Sequence, residues 1–256
     1  MGYTEHRSTA RVLSILQLVA RNQDGYTLSK LAELLEAPKG SIFPILQTLK
    51  EYHFLLFDDK TGIYQIGPMA FQVGMSFINR DGSLKFVEEK ISRIVDQCLE
   101  TVHFAILDKG DVVYLLKKDS PQAIRMISMV GKTLPAYGTG IGKALLMDYS
   151  LEELKKIYPD GLEKLTYNTI VDFDKLYEEL KSFRKDDVSY EYEESNMDVQ
   201  CVAVAVRKES KIIAAVSVAI PIFRCDDKKI ENIREILLNT KRELEEYFSH
   251  GNFILR

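Results

Sequence analysis

The sequence predicts an α+β chain in two parts: a small helical module closed by a hairpin, then a larger antiparallel sheet with helices grouped around it. Three observations predict it. Apolar residues recur at helical spacing three times before residue 50. The period then shortens to that of strands around "FLLF" and "IYQI". Beyond residue 83, amphipathic stretches and β-rich runs share the chain, the pattern of helices segregated around an antiparallel sheet.

Val12, Ile15, Leu16 and Val19 fall at i, i+3, i+4 and i+7, so a first helix is expected from Ser8 or Thr9 to the residue before "NQDG". Thr27 is placed to cap a second, whose stripe is Leu28, Leu31, Ala32 and Leu35. After "APKG", Ile42, Ile45, Leu46 and Leu49 mark a third. Pro44 is tolerated only in a first turn, so this helix is expected to start at Gly40 or Ser41, with Ser41 as its cap. "FLLF", "DDKTG" and "IYQI" then read as a hairpin.

Residues 1–67 therefore read as a winged helix-turn-helix, in which the third helix lies in the DNA major groove. Its exposed face offers Lys39, Ser41, Phe43, Gln47 and Lys50, and Arg11 of the first helix completes the candidate DNA contacts. Lysine suits phosphate or guanine, and glutamine suits adenine. Residues 1–60 carry seven basic and seven acidic side chains, so no strong positive field supports this reading. A small bundle that contacts only protein is the alternative.

Ala70, Val73, Gly74 and Phe77 share one face of a linker helix expected within 68–82. A second subunit would cover that face in a symmetric dimer; packing on its own domain is the other solution. Residues 83–256 form the larger part. Leu84, Val87, Ile91, Ile94, Val95 and Leu99 mark a long helix; "VHFAIL", "DVVYLLKK" and "IRMISM" read as strands. "SLEELKKIY" and the Phe173 to Phe183 stretch read as helices. "CVAVAV" and "IIAAVSVAI" pair across "RKESK", and a helix from Asp227 to Tyr247 follows.

The stretch "LPAYGTGIGKALL" resembles a nucleotide cradle but fails both signatures. A P-loop would need glycine where Tyr137 stands and a hydroxyl where Ala144 stands, and the spacing is not GxGxxG. What remains is a glycine turn opening a helix, able to meet a small anion or merely to adopt unusual backbone angles.

Composition is that of an ordinary globular protein, 46% hydrophobic and 28% charged with net charge −4. The polar start "MGYTEHRSTARV" is no signal peptide and "IIAAVSVAIPIF" is too short to span a bilayer, so a cytoplasmic protein without membrane contact is expected. Cys98, Cys201 and Cys225, with His6, His53, His103 and His250, lack metal-ligand or disulfide spacing, so no metal or cofactor is expected. Cys201 with His103 is the sole nucleophile and base couple, in no catalytic motif; the reading is that the chain is not an enzyme, a cysteine-dependent one being the alternative.

The segment "STARVLSILQLVARNQDGYTLSKLAELLEAPKGSIFPILQTLKEYHFLLFDDKTGIYQIGPMAFQVG" resembles the N-terminal domain of the isocitrate lyase regulator (IclR) family of transcription factors. "GKTLPAYGTGIGKALL", "YEYEESNMDVQCVAVAV" and "AAVSVAIP" extend the resemblance over nearly the whole chain. It implies a GAF-like effector domain and a ligand-responsive regulator, a repressor of a catabolic operon. The implied partners are a palindromic double-stranded operator, a small acidic effector, and other copies in a homodimer or tetramer. It also implies effector contacts at Met126, Leu134, Gly140, Ile141, Glu191, Val199, Cys201 and Ser217. Four positions depart from the family pattern: Pro44 stands for an arginine, Glu191 for an aspartate, Asp198 for a glycine and Ala219 for a second serine.

Overall fold

A computed structural model describes residues 6–78, 82–125 and 133–250. The chain divides into two units, residues 1–80 and 81–256.

In the first unit, α1 (Arg7–Arg21), α2 (Leu28–Leu34) and α3 (Lys39–Glu51) pack around Ile15, Leu31, Ile42 and Leu46. The Thr27 hydroxyl accepts from the Lys30 N–H and caps α2 as expected. A two-residue strand β1 (Tyr26–Thr27) joins the hairpin β2 (Leu55–Asp58) and β3 (Ile63–Ile66), giving a three-stranded wing in the order β1-β3-β2. The wing buries Leu55 and Tyr64 against the helices. α4 (Pro68–Ile78) follows, with Phe71, Val73 and Phe77 exposed.

The start of α3 corrects the sequence reading. The helix begins at Lys39, so Pro44 is its sixth residue, inside the helix and not in its first turn. Ser41 is no cap: its N–H and hydroxyl both donate to the Pro38 carbonyl. Pro44 has no N–H to offer the Gly40 carbonyl one turn earlier, a local loss that tertiary burial of Ile42 and Leu46 outweighs.

The second unit is built on one antiparallel sheet in the order β6-β5-β4-β9-β8-β7. These strands are β4 (Thr101–Asp108), β5 (Asp111–Lys118), β6 (Thr133–Pro135), β7 (Val188–Tyr192), β8 (Val199–Lys208) and β9 (Lys211–Pro221). The two three-stranded meanders meet where β9 returns beside β4. α5 (Ser83–Cys98) and α9 (Asp227–His250) cover one face through Val87, Ile91, Leu237 and Leu244, packed on Phe104, Val202, Val204, Val216 and Val218. The other face is alanine-lined, with Ala105, Ala203, Ala205 and Ala215 meeting α6 (Gly140–Leu146), α7 (Leu151–Ile157) and α8 (Phe173–Phe183). The alternation in "VAVAV" thus assigns wide side chains to one face and narrow ones to the other.

Two further expectations are corrected. Leu99 does not extend the α5 stripe; it takes a left-handed C-cap conformation at φ 61° and is exposed. In "IRMISM", Ile124 and Arg125 are not strand and the rest lies outside the described residues; the strand beside β5 is Thr133–Pro135. Among the described residues no helix is long and apolar enough to cross a membrane.

Candidate DNA-reading helix and effector cavity

With 100° between successive residues, burial of Ile42, Leu46 and Leu49 turns Gly40, Phe43, Pro44 and Thr48 outward on α3. Lys39 is exposed at the helix start, and Phe43 is 47% exposed. Gln47 is half-buried, and its amide interacts with the hydroxyl of the buried Tyr64 on β3. Lys50 lies towards the wing, its Nζ 5.0 Å from the centroid of the Phe57 ring. Arg11 is half-buried on α1. The predicted contacts therefore separate, with Lys39 and Phe43 open to a partner and Gln47 and Lys50 turned to the wing.

In the second unit, strand register sets two rows across the alanine face: Glu191, Cys201 and Ala219 in one, Ser189, Ala203, Ser217 and His103 in the next. The N-terminal turn of α6 lies over them. Thr139 caps it by accepting from the Gly142 N–H at 3.0 Å, and Ser189 donates to the Gly140 carbonyl at 2.7 Å. Here the glycines are needed for close approach and not for unusual angles, since none of the three has a positive φ. A Cβ at residue 140 would stand 2.7 Å from that of Cys201, and one at residue 142 only 2.1 Å from the Ala136 carbonyl oxygen.

Between turn and sheet lies a cavity of about 10 Å³, the size of one water. Gly140, Ile141, Cys201 and Ser217, four of the expected effector contacts, line it together with His103, Tyr114, Thr139, Ser195 and Ala219. Val199 packs with Cys201 and Ala219 just beyond, and Leu134 joins the core that contains Ile141. Met126 lies outside the described residues. Glu191 is buried behind Cys201. One carboxylate oxygen accepts the N–H groups of Glu194 and Ser195; the other is buried with no nitrogen or oxygen partner among the described residues, and the neighbouring Cys201 thiol also interacts with the carboxylate.

Burial governs the protonation of this site. It pushes Glu191 up to about 7, with the Glu194 charge adding to the rise and the two backbone donors opposing it. Burial also drives the Cys201 thiol well above its ordinary value and His103 down to about 4. The cavity wall is therefore neutral, with an acid of ambiguous charge behind it.

Sequence reading missed Lys143 as a buried charge. It is fully enclosed, contacting Glu179 at 2.5 Å and donating to Glu194. The Thr166 and Thr169 hydroxyls hold the Glu194 carbonyl, so Lys143 anchors the loop whose N–H groups orient Glu191. The available signal was a lone lysine inside the apolar run "GIGKALLM", which cannot be buried without carboxylates nearby.

Residues 8–59 match the IclR helix-turn-helix domain, and residues 81–246 match the C-terminal domain of bacterial IclR transcriptional regulators. The chain belongs to the IclR family. It is 28% identical over 242 residues to the transcriptional repressor IclR of Escherichia coli K12, covering 93% of this chain and 88% of that one. To the repressor AllR of the same strain it is 27% identical over 236 residues, covering 91% and 87%. The fold matches an IclR regulator from Alicyclobacillus acidocaldarius with TM-score 0.84 at 20% identity, over 95% and 99% of the two chains. An IclR homologue from Microbacterium hydrocarbonoxydans, solved with 4-hydroxybenzoate, matches with TM-score 0.72 at 18% identity, over 93% and 99%.

This IclR-family chain is a DNA-binding transcriptional regulator. One departure from the family pattern now has a physical reason. Asp198 sits at φ 61°, the left-handed region where glycine is cheapest and aspartate tolerated, and its N–H donates to Glu193 at 2.8 Å. Cys201 and His103 both line the cavity, where burial holds the thiol protonated and the imidazole neutral.

Proposed function

We propose that this regulator represses a catabolic operon in the cytoplasm by binding a palindromic operator as a dimer or tetramer. Residues 1–67 bind DNA, 68–82 link, and 83–256 take a small acid that changes the hold on DNA. Gly140, Ile141, Cys201 and Ser217 contact the effector directly, and Val199, Leu134 and Glu191 stand behind them. The observation that carries the effector reading is the buried Glu191 oxygen without a nitrogen or oxygen partner, next to a neutral-walled cavity. Once the cavity opens past Cys201, Glu191 in its acid form can donate a hydrogen bond to the ligand's carboxylate. The 4-hydroxybenzoate bound by the Microbacterium homologue supports an acid as the ligand class. A cavity of one water's volume must open to admit such a ligand, so effector binding selects or drives a second conformation.

A gel shift on the DNA upstream of its own gene tests the reading. A retarded band, weakened by at least one member of a panel of small carboxylic acids, is expected. Ser217→Ala should blunt the acid response while leaving retardation without acid intact. Absence of any band at low salt, with folded protein, would refute the DNA reading; an unchanged dose response would remove Ser217 from the site.

A further inference from the structure

The hydroxyl donors on the outward middle of α3 are directed to the module's own backbone, and Gln47 is turned to the wing. The Ser41 hydroxyl donates to the Pro38 carbonyl at 2.7 Å and the Thr48 hydroxyl to the Pro44 carbonyl at 2.9 Å. The Gln47 amide is with Tyr64. Gly40 brings no side chain and Pro44 brings neither donor nor acceptor there. What this face offers a groove is mostly carbon: the Phe43 ring and the Pro44 ring, with Thr48 beside them, all three residues exposed.

The major groove has one apolar feature, the 5-methyl group of thymine, and a phenyl ring or a threonine methyl is suited to it. We propose that α3 reads its operator chiefly through Phe43, Pro44 and Thr48 against thymine methyl groups, with Lys39 holding a phosphate and Gln47 remaining on the wing. Pro44 places a ring where a longer polar side chain could reach base edges, and the Thr48 hydroxyl is bonded back to the Pro44 carbonyl one turn earlier. The inference rests on the DNA-binding reading above and adds what kind of base edge is read.

The test uses the full chain and duplexes it selects from a random pool. Each thymine of a selected duplex is replaced singly by uracil, which lacks only the methyl, and binding is followed by fluorescence anisotropy at fixed salt. About fourfold weaker binding is expected at one or two adjacent thymines, the loss of one buried methyl. Phe43→Ala, checked for folding by circular dichroism, should bind thymine and uracil duplexes alike at those positions. Thr48→Val and Gln47→Ala should keep the wild-type uracil profile. A flat profile for the wild-type chain, or one that Phe43→Ala and Pro44→Ala both leave unchanged, overturns the inference while DNA binding stands. A pool from which no duplex is retained overturns DNA binding itself, and this inference with it.

Discussion

The two faces of the six-stranded sheet are made from the same strands and do opposite things. Towards α5 and α9 the sheet presents valines and Phe104, wide side chains that fill the space to the helices. Towards α6 it presents alanines, and at one end His103, Cys201 and Ser217. A thin layer lets the backbone of α6 approach the strands, and only where it approaches can polar groups on sheet and turn converge on one small cavity. Stability and ligand contact are separated by the two-residue period of a strand, and three substitutions probe that separation.

The largest effect is expected on the valine face. Phe104 is fully buried there, and Phe104→Ala should cost about 3–5 kcal/mol, read as a fall in the urea midpoint at unchanged slope. On the alanine face, Gly140→Ala adds a single methyl group. That methyl would lie 2.7 Å from the Cys201 Cβ and 3.3 Å from that of Glu191, so up to about 3 kcal/mol is expected from the forced displacement. The two variants should also differ in kind. Gly140→Ala should abolish the acid response in the gel shift and Phe104→Ala, below its unfolding temperature, should not. Equal loss of response in both would mean that the faces are not separable.

Legibility in the sequence follows the same division. Elements whose signal is local were readable: the Thr27 cap of α2, the stripes of α1 and α5, the alternation of β8 and β9. Elements decided by a distant partner were not. Pro44 was expected in a first turn because a proline within a helix is costly in isolation, but burial of Ile42 and Leu46 fixes α3 around it. The glycines of "GTGIG" looked like phosphate or turn glycines because their actual reason, the nearness of Cys201 and Ala136, lies in other segments. Lys143 looked like part of the same cradle until Glu179 and Glu194, far along the chain, arrived beside it. At the effector site the family resemblance supplied the residue types, and strand register supplied what it could not: His103 opposite Ser217, and Glu191 beside Cys201.

The smallest effect expected is a slope, and it belongs to the alanine face alone. Glu191 titrates at about 7 in the folded chain because it is buried, against an unfolded value near 4.5. Between those two values the folded state holds a proton that the unfolded state has lost, so stability must fall as pH rises through the window. The shift corresponds to a loss of about 2 kcal/mol from pH 5 to pH 7, levelling off once Glu191 is ionised in both states. Other groups add their own slopes, so the measurement is a difference: urea unfolding of wild type and Glu191→Gln across pH 5 to 8. Glutamine keeps the acceptor for the Glu194 and Ser195 N–H groups but has no proton to lose, and its curve should lack this component. The acid response should follow the same titration in wild type, strongest at low pH where Glu191 can donate, because an ionised Glu191 would repel a carboxylate across the cavity. Parallel stability curves for the two proteins would show that Glu191 does not change charge in this range, and the neutral-wall account of effector choice would go with it.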